Sequence, residues 1–524
     1  MKKFLFIFLF IFCFILVGCD KPTPEVTPTP EVPQTPLPPT VLDNYIPTDT
    51  TLSFSSENED KVILEPTIDV RLYTQDAGTD IKPYQLFSDG MCLQRDAVNR
   101  IWGKASKTKG IAAEINGKVY YGTVNGREWE IYLPKMMAGG PYELTIISES
   151  GRYTIKDVYI GEVFLCAGQS NMEWQPGHAG DVLKDLYSSA DCINDNIRML
   201  HIEYYPQAEP TTERANTSKW KGANQTTIKN FTAVGYLFGK QMEEELDCPV
   251  GLIATPVGGS NIEFWLSEEN YNKVTEAYKP YINTDEYMQP CLGYNGMLYP
   301  LTGLNVRGVV WYQGCSNAFG TQKYYDIALE IFMNQCREMF GNEQLAFSIC
   351  ELARYEGNPG AYSIVNERIN YVADKDPYVV VARNLDLGEW KDIHPKDKRE
   401  IASRAAYETL RVFFKKDKAA PIDVEGYTFN ADGSVTIDLT SNANLVNGKN
   451  GFEVYVNGKY SYNCNVTING DKITVTADGE ITKVRYGYTC DMTEEIMSDV
   501  SKMVTVYDSN GFPLDLFLIE KEVA

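Results

Sequence analysis

The chain has 524 residues, of which 44% are hydrophobic, and this length and composition predict a globular protein of two or three domains. Its formal net charge of −23 argues against nucleic acid as a partner and against a basic patch for anionic lipid, since both need clustered positive charge. Its twelve cysteines are sparse and include no CxxC pair, so the sequence predicts neither a metal site nor a disulfide scaffold.

The first 19 residues are typical of a lipoprotein signal peptide. Lys2 and Lys3 precede an apolar run that is shorter than the ~20 residues of a membrane-spanning helix. The run ends in Leu16-Val17-Gly18-Cys19, which resembles a bacterial lipobox with Cys19 as the lipidated residue. Residues 20–40 are rich in Pro and Thr and are predicted to form an extended linker. We therefore expect export and a lipid anchor in the cell membrane, with the protein facing outward, or secretion if Cys19 is not lipidated.

Four segments follow the linker. Residues 41–82 are polar with short apolar stretches and have no assigned fold. Residues 83–160 alternate apolar and polar positions between turn signals, which predicts a small antiparallel β domain. Residues 161–416 alternate buried strands with amphipathic helices, which predicts an α/β domain with a parallel sheet and helices on both faces. Residues 417–524 return to short alternating strands, which predicts a second small β domain.

The α/β domain is predicted to contain six strands and four long helices. The strands are 163–167, 197–202, 250–254, 306–312, 346–350 and 378–382, and the helices are 233–246, 323–340, 363–372 and 396–414.

A serine follows the first of these strands. Gly168 interrupts the apolar run, and Ser170 comes two residues later. Because ligands of parallel sheets bind at the carboxyl ends of the strands, the Ser170 hydroxyl is predicted to lie where a substrate would bind. It can act as a nucleophile only if a base takes its proton and fixed donors hold the oxyanion.

The base must be found among only three histidines. His178 follows the serine in a glycine-containing loop and His201 lies in a predicted strand, so both fit other roles better. His394 follows the last predicted strand and precedes the last predicted helix, which puts it at the same sheet edge as Ser170. Asp392 is close enough in sequence to orient the imidazole as the third member of a triad.

Two further strand ends offer candidate oxyanion donors. The strand 250–254 leads into Gly258-Gly259-Ser260, where glycine allows a backbone N–H to approach a ligand closely. The strand 306–312 leads into Gln313-Gly314-Cys315-Ser316-Asn317, in which the Asn317 side-chain amide can donate. Taken singly, each segment is better explained as an ordinary strand-to-helix turn.

Four blocks of the chain together resemble the sialate O-acetylesterase family of SGNH/GDSL-type hydrolases. They are Gly168-Gln169-Ser170-Asn171-Met172, Gly258-Gly259-Ser260, Trp311-Tyr312-Gln313-Gly314-Cys315-Ser316-Asn317 and Asp392-Ile393-His394-Pro395. The resemblance extends in order over roughly residues 83–517. It implies a flavodoxin-like SGNH-hydrolase sheet, no metal or other cofactor, and hydrolysis of O-acetyl esters on carbohydrates.

The resemblance also implies roles for individual residues. Ser170 would be the nucleophile and His394 the base, with Asp392 orienting it. The oxyanion hole would consist of the Ser170 N–H, the Gly259 N–H and the Asn317 side chain. Residues expected to line the substrate are Gln169, Trp174, Gln313 and Trp311.

Two positions depart from the family pattern. The wider SGNH group usually has its aspartate three residues before the histidine, where this chain has Lys391, so Asp386 and Glu389 are alternative partners for His394. Relatives commonly carry Glu where Cys315 stands. Two alternative functions also remain: an esterase of acetylxylan or of another glycan or peptidoglycan, and a non-catalytic glycan-binding lipoprotein.

Overall fold

The computed structural model describes residues 52–54, 58–78, 80–106, 108–212, 219–280, 285–445, 451–488 and 504–522. The predicted signal peptide, the lipidation site Cys19 and the linker lie outside these residues. Within the described ranges, no helix combines the length and the apolar character that crossing a membrane would require.

An antiparallel region opens the fold. Its strands are β1 (Ile81–Pro83), β2 (Cys92–Gln94), β3 (Asn99–Ala105), β4 (Ile111–Ile115), β5 (Lys118–Asn125), β6 (Glu128–Leu133) and β7 (Gly139–Ser148). The hairpin between β4 and β5 turns at Asn116 and Gly117, whose φ angles of 50° and 70° are those of a type I′ turn. The antiparallel pattern predicted for this part of the chain is therefore confirmed.

The preceding segment packs on this region. Ile63 forms a β-bridge with Tyr121, and Arg152 donates from Nε to the Tyr73 carbonyl at 2.9 Å. Part of the stretch that had no assigned fold is thus attached to the antiparallel region.

The long strand β8 (Gly151–Gly168) joins the antiparallel region to the parallel sheet. Its first half pairs antiparallel with β7, and its second half pairs parallel with strands on both sides. The predicted domain boundary at 160/161 falls inside this strand. The buried apolar side chains of both regions form one continuous core, so no linker separates them.

The remaining strands of this sheet follow β8 in sequence. They are β9 (Asn194–His201), β10 (Lys221–Ala223), β11 (Val250–Pro256), β12 (Gly308–Tyr312), β13 (Ala346–Cys350) and β14 (Val379–Ala382). Their spatial order is β10-β9-β11-β8-β12-β13-β14, with every pair parallel except β10 and β9. All residues of β11, β12 and β13 are buried, as expected for strands covered on both faces. The predicted parallel sheet is confirmed.

Helices connect these strands. They are α1 (Ser170–Glu173), α2 (Asp185–Ser188), α3 (Gln225–Lys229), α4 (Ala233–Leu246), α5 (Glu268–Ala277), α6 (Tyr325–Phe340), α7 (Pro359–Ala373) and α8 (Arg399–Phe413). Helix α4 packs against α8, whereas α6 packs against both α5 and α7. The last helix was predicted to begin at 396 after Pro395, but it begins at Arg399, so the intervening residues belong to the loop that carries His394.

The carboxyl-terminal region consists of antiparallel strands. They are β15 (Val424–Phe429), β16 (Val435–Leu439), β17 (Ala443–Leu445), β18 (Phe452–Val456), β19 (Lys459–Ser461), β20 (Cys464–Asn469), β21 (Lys472–Ala477), β22 (Lys483–Tyr486), β23 (Val506–Asp508) and β24 (Phe517–Glu520). They form three sheets, β15-β16-β21-β20, β17-β23 and β19-β18-β22-β24, around a separate core. Leu385, from the loop after β14, is part of that core. The region thus braces the loop that carries His394.

Candidate active site

Ser170 lies at the point where β8 ends beside β11 and β12. The last residue of β8, Gly168, is in register with Pro256 of β11 and with Tyr312 of β12. Gly168 has a φ of +140°, and a Cβ there would lie 2.3 Å from the Tyr312 carbonyl oxygen, so the close approach of β12 requires glycine. The strand therefore stops abruptly, and Ser170 begins α1 at the carboxyl edge of the sheet.

His394 reaches the same edge from the loop between β14 and α8. Its Nε2 lies 2.9 Å from Ser170 Oγ, within hydrogen-bond distance. The indole of Trp174 stacks on the imidazole, with ring centroids 5.1 Å apart and planes inclined by 20°. The structure thus brings together the serine and histidine that the sequence predicted as nucleophile and base.

The surroundings of His394 favour its neutral form. Partial burial lowers the pKa of His394, and the nearby Lys398 lowers it further, whereas Asp392 raises it. The net shift is downward, so Nε2 stays unprotonated to a lower pH than in an ordinary histidine. A neutral imidazole is the form that can accept a proton from Ser170.

Asp392 does not form the expected hydrogen bond to the imidazole. Its Oδ1 is 4.0 Å from His394 Nδ1 and instead accepts the backbone N–H of His394 at 3.0 Å. The alternative Asp386 is held by Arg404 at 2.5 and 2.8 Å, and Glu389 accepts the Lys396 N–H at 3.4 Å. Among the described residues, none of these three carboxylates hydrogen-bonds to the imidazole of His394.

Two backbone N–H groups at this edge are available to an oxyanion. Ser170 N lies at the first position of α1, and Gly259 N lies on an exposed turn at φ +79°. Neither N–H has an acceptor among the described residues. The turn is held on both sides of Gly259, since Gly258 N donates to Glu173 Oε2 at 2.7 Å and Ser316 Oγ donates to the Gly259 carbonyl at 3.1 Å.

Asn317 differs from its predicted role. Its Nδ2 donates to Glu263 Oε2 at 2.9 Å and to Thr321 Oγ1 at 3.0 Å, and its Oδ1 accepts the Ile262 N–H at 3.0 Å. Only 1% of the residue is exposed. Because both amide hydrogens already have acceptors, the Asn317 side chain has no donor left for an oxyanion and serves to join two loops.

Three of the four residues predicted to line the substrate are part of the buried framework. Gln169 is 2% exposed, and its Oε1 accepts the Gly314 and Ser316 N–H groups at 3.0 and 3.2 Å. Gln313 and Trp311 are fully buried. Trp174 is the exception, since it is partly exposed and contacts His394 directly.

Sequence reasoning missed two side chains that support the Ser170–His394 pair. Lys398 is 0% exposed, and its Nζ donates to Asn171 Oδ1 at 2.6 Å. Asn171 Nδ2 in turn donates to the Ile393 carbonyl at 3.1 Å. The available signal was that Lys398 shares the helical spacing of the buried Ile401, one turn further along.

Comparisons with known proteins find carbohydrate esterases similar to this chain. Residues 160–408 match the family described as carbohydrate esterase, sialic acid-specific acetylesterase. The sialate O-acetylesterase of Homo sapiens is 26% identical over 369 residues, which cover 63% of this chain and 70% of that protein. That of Mus musculus is 26% identical over 334 residues, covering 53% of this chain and 61% of that protein. The crystal structure of a carbohydrate acetylesterase from Xanthomonas citri has a TM-score of 0.75 at 25% identity and covers 84% of this chain and 100% of its own.

Proposed function

We propose that the chain is a carboxylic ester hydrolase that removes O-acetyl groups from carbohydrates through an acetyl-serine at Ser170, and the match of residues 160–408 to the sialic acid-specific acetylesterase family supports this. The observation that carries the proposal is the 2.9 Å separation of His394 Nε2 and Ser170 Oγ. A hydroxyl beside a neutral imidazole is the arrangement of an activated nucleophile. The same contact argues against a protein that only binds glycans.

The proposed reaction has two halves. His394 Nε2 accepts the Ser170 proton while Oγ attacks the acetyl carbonyl carbon, and the carbonyl oxygen becomes an oxyanion. The intermediate then collapses, the bond from the acetyl carbon to the sugar oxygen breaks, and the sugar leaves with the proton from His394. Water, deprotonated by His394, attacks the acetyl-serine in the same way and releases acetate.

The oxyanion is proposed to be held by the Ser170 and Gly259 N–H groups. Both are backbone donors without another acceptor among the described residues, and neither needs a side chain to reorganise during the reaction. Preorganised donors of this kind are each worth ~2.7–4 kcal/mol of transition-state stabilisation. Asn317 is left out of the proposed oxyanion hole because its amide is already committed.

We also propose that the parallel sheet is that of an SGNH-type hydrolase. The support is the strand order β9-β11-β8-β12-β13-β14. After β8 the chain adds β9 and β11 on one side of that strand and then crosses to β12 on the other side. The strand order therefore reverses beside β8, and parallel sheets bind ligands at such a point. The order departs from the simplest flavodoxin-like one, because β11 rather than β9 is the neighbour of β8.

Membrane attachment through Cys19 remains a proposal from the sequence. Its support is the Leu16-Val17-Gly18-Cys19 segment followed by a Pro- and Thr-rich spacer. Expression of the full chain and of Cys19→Ala in a bacterial host, followed by fractionation, tests it. Wild type in the membrane fraction with Cys19→Ala released supports the anchor, and the same distribution for both contradicts it.

Acetate release from a panel of acetylated glycans tests the enzymatic proposal. The panel pairs O-acetylated sialic acid, acetylated xylan and acetylated peptidoglycan with each deacetylated counterpart. We expect acetate from at least one acetylated glycan with wild type and none above background with Ser170→Ala. Equal release by the two proteins would exclude Ser170 as nucleophile, and glycan binding without release would favour the binding-only alternative.

A further inference from the structure

The buried lysine Lys398 is not explained by the proposed reaction. It is 0% exposed, yet among the described residues it forms no ion pair with a carboxylate. Its Nζ has one hydrogen-bond acceptor, Asn171 Oδ1 at 2.6 Å, and lies 5.5 Å from the ring centroid of Tyr312 and 6.0 Å from that of Trp174. A buried ammonium group with so little compensation destabilises a fold, so an apolar side chain would be the more stable choice here.

The contacts of Lys398 lead to His394 by two routes. Asn171, which accepts from Lys398, donates from Nδ2 to the carbonyl of Ile393, the residue before His394, at 3.1 Å. Trp174, whose ring faces the Lys398 ammonium, stacks on the His394 imidazole. Asn171 is also the residue after Ser170, so the first route links the nucleophile to the loop that carries the base.

These routes matter because no carboxylate in the described part of the chain hydrogen-bonds to the His394 imidazole. The nearest oxygen of Asp392 is 4.0 Å from Nδ1. We propose that Lys398 is a positioning residue, which holds the His394 imidazole against Ser170 through Asn171 and Trp174. The proposal rests on the function assigned to Ser170 and His394. It adds the residue that keeps the two side chains within hydrogen-bond distance of each other.

The positive charge of Lys398 has a second consequence for His394. The titratable groups that face Lys398 come from three loops or strand ends, and they are Cys315, Cys350, Glu389 and Asp392. Burial lowers the pKa of Lys398 to about 7, so the residue carries its charge at acidic pH and loses it progressively as the pH rises through 7. While charged, it lowers the pKa of His394, although burial contributes more and Asp392 opposes it.

The test uses Lys398→Met, which keeps the length of the side chain and removes the charge. A lysine kept only for stability predicts a lower unfolding temperature for the variant. The proposal predicts an unfolding temperature that is unchanged or higher, together with a fall in kcat of about 10²-fold at little change in KM on a chromogenic acetyl ester, the size expected when a reacting group is misplaced.

The decisive readout is the titration of His394 by NMR with labelled histidine. The chain has only three histidines, so the His394 resonance is identified by its loss in His394→Gln. We expect its titration midpoint to rise in Lys398→Met and to stay low in Lys398→Arg, which keeps the charge. Lys391→Met, the loss of an exposed lysine in the same loop, is the matched control and should leave the midpoint unchanged.

Three outcomes overturn the proposal. One is an unchanged His394 midpoint in Lys398→Met. The second is a variant that fails to fold or unfolds at a clearly lower temperature, which would make the lysine structural. The third is an unchanged kcat in both Lys398→Met and Asn171→Ala. The NMR experiment gives the same answer in a Ser170→Ala background, so failure of the positioning role and failure of the proposed esterase function are distinguished.

Discussion

Replacing Asp392 with Asn tests how far this site depends on a third triad member. The Asp392 carboxylate is 4.0 Å from His394 Nδ1, and 37% of its side chain is exposed. A charge pair of this distance and exposure contributes ~0.2–1 kcal/mol, which corresponds to at most about a fivefold change in rate. The aspartate that hydrogen-bonds the histidine of serine proteases is worth about 10⁴-fold in kcat.

The substitution isolates the effect of the Asp392 charge because it preserves the hydrogen bond that Asp392 forms. An Asn side-chain oxygen can still accept the backbone N–H of His394, which Asp392 Oδ1 accepts at 3.0 Å. Only the charge is lost. Since that charge raises the pKa of His394, its loss lowers the pKa and moves the acidic limb of the rate profile to lower pH.

The assay is kcat/KM for a soluble acetyl ester across the acidic and neutral range. We expect Asp392→Asn to keep at least about a fifth of the plateau value of wild type, the limit set by a weak exposed pair. Asp397→Asn, which removes an exposed carboxylate three residues after His394, is the control and should leave the profile unchanged. A plateau reduced by about 10³-fold or more would refute the reasoning, because loss of a peripheral charge cannot cause it.

Three other perturbations test separate parts of the structure. Because the pKa of His394 is lowered and the base must be neutral, the acidic limb of kcat/KM in wild type should have its midpoint below about 6.5; a midpoint above that value contradicts the burial of the imidazole. Glu173→Ala should lower kcat by up to about 10²-fold, because the Gly258 N–H loses its acceptor and the neighbouring Gly259 N–H is held less firmly. Glu173→Gln keeps an acceptor for Gly258, so its kcat should stay close to that of wild type. Glu162→Gln should lower the free energy of unfolding in urea by about 3–5 kcal/mol, since the buried carboxylate pairs with Arg307 at 2.7 Å; an unchanged midpoint would contradict that pairing.

The parallel sheet was predictable because its strands are short apolar runs that are buried on both faces. Val250–Pro256 and Ala346–Cys350 have no exposed residue, so their sequences carry the pattern directly. The continuity of β8 was not predictable, because its first half alternates like an antiparallel strand and its second half is uniformly apolar. A change of pattern in the sequence does not by itself mark a domain boundary, because one strand can pass from one kind of pairing to the other.

The site was predictable in its residue types but not in all its side-chain contacts. Ser170 and His394 follow strands that end at one edge, so topology alone brings them together. Asn317 has the right chemistry for an oxyanion donor, but the buried carboxylate of Glu263 takes its amide. Lys398 is not obvious from the sequence because a lysine beside a helix start is usually solvated, and its helical spacing to the buried Ile401 is a weak signal of its burial.

Trapping the acyl-enzyme tests the central claim most directly. The purified enzyme is mixed with an acetyl ester labelled in the acetyl group, quenched in acid within the first turnover, digested and mapped by mass spectrometry. We predict label on the peptide that contains Ser170, and no label on the same peptide from Ser170→Ala or His394→Ala. Turnover of the ester without label at Ser170, or label that persists elsewhere in Ser170→Ala, would contradict an acetyl-serine formed by the Ser170–His394 pair.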